Sequence, residues 1–375
     1  MAGGEGMREQ NTKFRVAAVQ AAPVFLNRDD TVLKACRFIE EAARNDALLV
    51  AFPEVYIPGY PYWVRYMDPF KAQKYTKELI KQAVRIPSEA TEALCQAAHK
   101  AKIYVVIGLN ERDPHSSGTI YNTNLLIDPE GQIMGRHRKL VPTYAEKLVW
   151  APGDGLGLRV YETELGKLGT LICGENGNLL ARFLLIAEGE QLHIASYPSI
   201  PVKDPGGYNL GKDIEIRAAA HALEGKLFNV VSSGIIDSSI VDAVGVTEEI
   251  RTILKSGDNC HTAVYGPKGV PISGPLEPGH EGIIYADVNL EDIIIPKLRH
   301  DIATSNYNRF DVMSLRLQRR PLQAVHSEEE EEQKLASLLQ ELKDSVQRLR
   351  SLLEQGSIKE AQATIEELKQ ALERS

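Results

Sequence analysis

The sequence holds four cysteines, Cys36, Cys95, Cys173 and Cys260, and no two of them form a CxxC pair. That excludes a zinc ribbon and a thiol redox motif. In a reducing compartment it excludes a disulfide framework as well. No apolar run is long enough to cross a bilayer. The first fifteen residues, MAGGEGMREQNTKFR, are polar and carry no apolar signal core. Positive charge is not in surplus: the net formal charge is −8, which argues against nucleic acid as the main partner. The glycines of GDGLG, 153–157, do not open a helix after a strand, so they make a loop and not a dinucleotide site. These absences predict a soluble cytoplasmic protein with no membrane or nucleic-acid partner.

The chain has 375 residues, 43% of them hydrophobic, enough for one large domain or two. Strand and helix signals alternate as far as about residue 300. FRVAAVQ, ALLVAFPE, IYVVIGL, TNLLIDPEGQIMG, LGTLIC, LHIASYP, LFNVVSSG, HTAVYGPKGVPIS and EGIIYADVN read as strands. Helices are predicted over 30–44, 71–84, 88–101, 178–189 and KDIEIRAAAHALEG, the last with a glycine stop. Strands this dense with fewer helices predict an α/β fold of two packed sheets with helices outside both.

Beyond Ser327 no strand signal remains. Leu335, Leu339, Leu342, Val346, Leu349 and Leu353 recur in steps of four and three, a coiled-coil seam. Gly356 stops that helix, Ser357 and Glu360 make a capping box, and Ile358, Ala361, Ile365, Leu368 and Leu372 continue the stripe. The tail is therefore predicted to be an acidic helical hairpin. Its two apolar stripes argue that it packs on itself or on another subunit.

One short stretch carries the chemistry. In LGTLICGENGN an apolar strand runs into Cys173, and glycines and then a helical pattern follow. Gly174 and Gly177 are expected to supply backbone angles that other residues avoid. A strand-to-helix turn exposes a nucleophile next to backbone amides, although a cysteine at a strand end is also often plain core. Cys36 and Cys95 lie in helical patterns and read as structural. A thiol titrates near pH 8.5, so a nucleophilic Cys173 needs a base or a positive field. Glu54 behind Pro53, Lys139 at the end of GRHRK, and Glu146 seven residues later stand where strands end. Taken singly, each reads more readily as a surface charge than as a catalytic group. His193, His221 and His300 are possible partners of a Cys–His pair, but His193 sits in an apolar strand and His221 in a helix, where core or surface placement is commoner. Within Arg136–Lys139 the basic run is too short for nucleic acid and fits one working lysine with supporting neighbours.

Together, FPE, HRKLVPTYAEKLVW and LICGEN…LAR resemble the nitrilase superfamily of carbon–nitrogen hydrolases, in order and in spacing. PGYPYW, APGDG, HIASYP, IEIRAAAHALEGK and NYNRFDV are similar to blocks of its nitrilase branch. The resemblance runs from about Arg15 to Leu322. It implies a hydrolase domain over 1–322, built as a four-layer αββα sandwich, with the helical hairpin of 327–375 outside it. It also implies roles. Cys173 looks like the nucleophile and Glu54 like the general base. Lys139 and the Gly174 amide would stabilise developing negative charge, and Glu146 is similar to an additional carboxylate that orients the lysine or assists proton transfer. Tyr60, Gly174 and Tyr197 are implied as substrate contacts. The implied reaction converts a small-molecule nitrile to an acid and ammonia through a thioimidate and a thioester, with no metal or organic cofactor, in a homo-oligomer of dimers or longer spirals. The sequence departs from many relatives at Gly174, where they carry tryptophan, and at Tyr197, where tryptophan is frequent. A CWEH-type stretch is absent, which disfavours hydrogen cyanide. An amidase or carbamoyl-amide hydrolase would use the same Glu–Lys–Cys set. A non-catalytic interaction protein acting through its tail would not need that set.

Overall fold

The computed structural model describes residues 12–319, with 339–340, 343–352 and positions 357, 360, 362 and 364 of the tail. The chain divides into two units at residue 321. Two six-stranded sheets make the first unit. One holds β1 (Lys13–Gln20), β2 (Ala47–Ala51), β3 (Tyr104–Arg112), β4 (Ile120–Ile127), β5 (Ile133–Arg138) and, from far along the chain, β14 (Gly282–Asn289), in the order β14-β1-β2-β3-β4-β5. The other holds β6 (Tyr161–Thr163), β7 (Gly166–Ile172), β8 (Leu192–Tyr197), β10 (Phe228–Ser233), β12 (Ala263–Tyr265) and β13 (Pro271–Ser273), in the order β13-β12-β10-β8-β7-β6. A small ladder joins β9 (Ile200–Pro201) to β11 (Asp258–Asn259). In each sheet the central strands are parallel and the outer ones antiparallel.

Strand β1 shows why the layers form. Successive side chains point to opposite faces. Ala17 and Val19 face a cluster that contains Val32, Ala35 and Ile39 of α1 (Arg28–Arg44) and Leu94 and Ala98 of α4 (Glu89–Ala101). Val16 and Ala18 face the second sheet, against Leu168, Leu192, Ile194 and Val230. The strand is apolar on both sides because both sides are covered. Helix α1 starts where Asn27 accepts a hydrogen bond from the Asp30 amide, with Asp29 and Asp30 in its first turn. On the outer face of the second sheet, Ile214, Ala218 and Ala222 of α6 (Leu210–Gly225) pack on Ala195, Tyr197 and Val231. Helix α5 (Leu179–Ala187) packs Ala181 and Leu185 on Leu171 of β7. The result is the four-layer αββα sandwich.

Helices α2 (Trp63–Tyr66) and α3 (Pro69–Gln82) lie between β2 and α4 in the chain. Among the helices with no counterpart in the sequence reading are α7 (Ser238–Val244) and α8 (Glu248–Leu254), capped by Asp237 and Thr247. Each spans only about two turns, too short for a periodic stripe to register. A last short helix, α9, covers Ile294–Arg299. In the tail, residues 343–352 are helical, as are single positions further on. The acidic run Glu328–Glu332 and the turn at Gly356 lie outside the described residues.

Ile194, with no exposed surface, sits between the two sheets. Ile194→Ala should cost about 2–5 kcal/mol by chemical denaturation, the transfer term plus the cavity left behind. Ile295→Ala, on an exposed face of α9, should stay within about 0.5 kcal/mol of the parent. Equal costs would mean that the inter-sheet layer is not the core.

Candidate active site

Glu54, Lys139, Glu146 and Cys173 all leave the ends of strands or the turns just after them. Glu54 follows β2 and is fixed to the second sheet, where its amide donates to the Tyr197 carbonyl at 3.3 Å. Lys139 directly follows β5, and its amide donates to the Asn122 carbonyl of β4 at 2.8 Å. Glu146 lies in a 3₁₀ turn, Tyr144–Leu148, and its carboxylate accepts from the Thr143 amide at 2.7 Å. The Lys139 Nζ donates to Glu54 Oε1 at 2.9 Å and to Glu146 Oε2 at 2.7 Å. Asn122 donates to the same Glu54 oxygen at 2.6 Å, and Tyr60 to Glu146 Oε1 at 3.0 Å. All these side chains are buried.

Two carboxylates share one ammonium, so the buried set carries an excess negative charge that a proton can remove. The electrostatics follow from this. Burial pushes the Glu54 carboxyl up to about 7; Lys139 opposes the rise and Glu146 adds to it. Burial works against the Lys139 ammonium, but Glu54 and Glu146 outweigh it and hold the group well above its ordinary value. The Cys173 thiol is pushed well up by burial and then by Glu54, with Lys139 pulling the other way. Lys139 stays charged, Cys173 rests as a thiol, and Glu54 exchanges its proton near neutral pH. Hydrogen bonding also separates the two carboxylates. Both Glu146 oxygens have partners, whereas Glu54 Oε2 is buried with none among the described residues.

Cys173 opens a 3₁₀ turn, Cys173–Gly177, five residues before the first turn of α5 begins at Asn178 and Leu179. Its φ is +50°, while neither Gly174 nor Gly177 adopts a positive φ. The expectation that the glycines would supply the unusual angles is therefore corrected: the cysteine itself carries the strain. Non-glycine residues persist in that region only where the surroundings hold them there. The next two side chains do so. Glu175 accepts from the Ile172 amide at 3.0 Å, the Leu140 amide at 2.6 Å and His137 Nε2 at 2.8 Å. Asn176 donates to the carbonyls of Leu171 and Cys173 at 3.2 and 3.1 Å. Glu175 thus ties the turn to the strand that ends in Lys139.

Each side chain of the basic run around Lys139 has an acidic partner. Arg136 and Arg138 meet Glu111 at 2.8 and 2.5 Å, and His137 meets Glu175. Tyr60 is committed to Glu146. Tyr197 is buried with an unpartnered hydroxyl, and burial and then the neighbouring Cys173 push that hydroxyl well up. A Cβ on Gly174 would meet Thr143 Oγ1 at 3.0 Å, a tight approach to the end of one side chain. His193 and His221 are core residues around Glu190 and do not pair with the thiol. The donor atoms of these three residues lie within 4.8 Å of one another. Their direct contacts, 2.6 and 2.9 Å, are hydrogen-bond lengths that hold protons between them. Asn122, Glu175 and Asn176 escaped the sequence reading. Asn122 lies within a strand pattern that reads as plain β. Glu175 and Asn176 follow the cysteine directly, and polar residues after a glycine read as a turn.

The sequence signature described as Carbon-nitrogen hydrolase matches residues 15–294. A protein named Nitrilase from Bacillus sp. (strain OxB-1) is 38% identical over 318 residues, 84% of this chain and 91% of that one. An Aliphatic nitrilase from Rhodococcus rhodochrous is 35% identical over 323 residues, 86% of this chain and 87% of its own length. The crystal structure of Saccharomyces cerevisiae Nit3, described as a member of branch 10 of the nitrilase superfamily, superposes with a TM-score of 0.62 at 23% identity, covering 80% of this chain and 98% of that one. A signature that spans most of the chain, on the sandwich already described, and relatives of this similarity place the protein in the carbon–nitrogen hydrolase family, in its nitrilase branch.

Proposed function

We propose that the protein is a nitrilase that converts an organic nitrile to its carboxylic acid and ammonia, with Cys173 as nucleophile. The observation that carries the reading is the buried Glu54–Lys139–Glu146 set beside a cysteine on a strained turn. The names of the relatives support the nitrile over other carbon–nitrogen bonds.

The geometry supports the following course. Glu54 Oε2, the free buried oxygen, takes the Cys173 thiol proton as sulfur attacks the nitrile carbon. The nitrile nitrogen then receives that proton, giving a thioimidate. Water adds to the thioimidate carbon, the carbon–nitrogen bond breaks and ammonia leaves. A second water, activated by Glu54, hydrolyses the thioester and returns the thiol. The balance is one nitrile and two waters to one acid and one ammonia. An ammonium has three donors. Lys139 gives two to Glu54 and Glu146, which leaves the third for charge developing on the substrate atom. Glu146, fixed by Tyr60 and the Thr143 amide, keeps that ammonium in place. Gly174 and Tyr197 line the same end of the sheet and are read as substrate contacts. Tyr60 is read as one through Glu146. No metal or cofactor enters this reading.

The reading also makes the protein a cytoplasmic homo-oligomer. The net charge of −8 argues against a nucleic-acid partner, and no described helix is long and apolar enough to cross a membrane. Light scattering should give at least twice the mass of the chain. A monomer at all concentrations would overturn this part of the reading.

An ammonia-release screen over aliphatic, arylaliphatic and aromatic nitriles, each beside its amide, tests the reaction. Nitriles should be turned over well above their amides; the reverse order would make the protein an amidase. Cys173→Ala should lose about a thousandfold or more while still folding. Cys36→Ala, Cys95→Ala and Cys260→Ala should each keep most of the activity.

The pH profile tests Glu54. The base works when deprotonated, and its carboxyl lies up at about 7, so kcat/KM should rise with pH through about 7. Glu146→Gln removes a charge that raises Glu54 and should move that acid limb to lower pH. A limb near the ordinary carboxylate range in the parent, or one unmoved by Glu146→Gln, would take the base role from Glu54.

A further inference from the structure

Behind the turn of Cys173, on the side away from Lys139, lies a buried chain of polar groups that the reaction does not use. His193 of β8 places Nδ1 2.6 Å from Glu190 Oε1 and Nε2 2.9 Å from Asn176 Oδ1. His221 of α6 places Nε2 2.9 Å from Glu190 Oε2. Glu190, His193 and His221 have no exposed surface, and Asn176 is 2% exposed.

The hydrogen-bond inventory fixes what each group does. The Asn176 amide nitrogen faces two carbonyls, those of Leu171 and Cys173, which can only accept. Its Oδ1 is therefore the atom that faces His193, so His193 Nε2 donates. Burial works against the Glu190 carboxylate, yet His193 and His221 hold it down at about 2, and it accepts on both oxygens. His193 thus bridges the Asn176 amide and the Glu190 carboxylate through its two ring nitrogens. His221 has an unpartnered Nδ1, and burial and then His193 push it down to about 4, so it stays neutral and donates from Nε2. Asn176, His193, Glu190 and His221 therefore form one unbroken buried run of hydrogen bonds. Its position is built in by a glycine: a Cβ at Gly169 of β7 would stand 1.9 Å from Glu190 Oε1.

We infer that Glu190, His193 and Asn176 form a positioning relay that holds the Cys173 backbone at its positive φ and so keeps the thiol aimed at the Glu54–Lys139 set. The inference rests on the catalytic reading above. The strained residue is gripped from both sides. Glu175 joins the turn to the segment around Lys139, and the Cys173 carbonyl is held through Asn176 by the hydrogen-bonded His193 and Glu190. A hydrogen bond to a charged group is stronger and better directed than a neutral one. The Glu190 carboxylate therefore holds His193 firmly behind the Asn176 amide.

Three variants test the relay. Asn176→Asp still accepts from His193 but cannot donate to the carbonyls of Leu171 and Cys173, so it cuts the run at its last residue. His193→Gln keeps a donor where Nε2 stood, and His193→Asn keeps one only near Glu190. Three quantities are read on each folded protein: kcat and KM for the best nitrile of the screen, the thermal midpoint, and the rate at which iodoacetamide alkylates Cys173. Asn176→Asp and His193→Asn should lose about 10- to 100-fold in kcat, with KM within about threefold, as expected when a reacting group is misplaced. His193→Gln should recover most of that loss. The alkylation rate of Cys173 should differ from the parent by about threefold or more in the two damaged variants. Parental kcat and alkylation in Asn176→Asp, or equal losses in Gln and Asn at position 193 that follow the thermal midpoint alone, would overturn the relay. Should Asn176→Asp fail to fold, the pair at position 193 decides. If the parent turns over neither nitriles nor amides, the catalytic reading fails, and alkylation still reads the relay.

Discussion

The site depends on one buried ammonium shared by two buried carboxylates. Lys139 is 1% exposed, Glu54 3% and Glu146 4%. An ion taken out of water costs several kcal/mol even after relaxation, and only close partners offset that. Contacts of 2.9 and 2.7 Å supply them, and they oblige three separate segments of chain to converge. Glu54 and Lys139 follow β2 and β5, which are not neighbours: β3 and β4 lie between them. Asn122 of β4 spans the gap, holding the Lys139 amide with its carbonyl and Glu54 with its side chain. Without β4 in that register, neither charge would have its partner.

The same end of the sandwich is where the two sheets are joined by polar groups. Near the middle, the layer between them is aliphatic. Towards the site, Asn124 of β4 donates to Thr170 and Ser196 of the second sheet at 2.8 and 2.9 Å. The Glu54 amide reaches Tyr197, and Glu175 reaches back to His137 and Leu140. Apolar contacts are non-directional and set the spacing of the sheets. Hydrogen bonds are directional and set their register. Placing the directional contacts beside Cys173 and Lys139 fixes the distance between residues that come from different sheets.

Much of this was legible in the sequence, because apolar strands and amphipathic helices announce themselves by period. The sandwich, the ends of its main helices, and the four residues at strand ends all came from that pattern or from the family resemblance it carried. What could not be read was tertiary. Asn122, Asn176 and Glu190 look like ordinary polar residues until the fold buries them beside specific partners. Helices α7 and α8 are too short to show a stripe. The glycines after Cys173 pointed to unusual backbone angles in the right turn but on the wrong residues: composition marks a strained turn, while the long-range bonds of Glu175 and Asn176 decide which residue bears the strain.

The division of labour between the two carboxylates follows from hydrogen bonding more than from distance. Both touch the same ammonium at similar range, so Coulomb attraction to Lys139 does not distinguish them. Glu146 has Tyr60 on one oxygen and Lys139 with the Thr143 amide on the other. Protonating it would break a bond to a donor. Glu54 concentrates Lys139 and Asn122 on Oε1 and keeps Oε2 bare in a buried setting. A proton arriving there displaces nothing and removes the excess charge of the set. The carboxylate with donors on both oxygens is held in place beside the lysine, and the one with a bare buried oxygen has room to accept a proton.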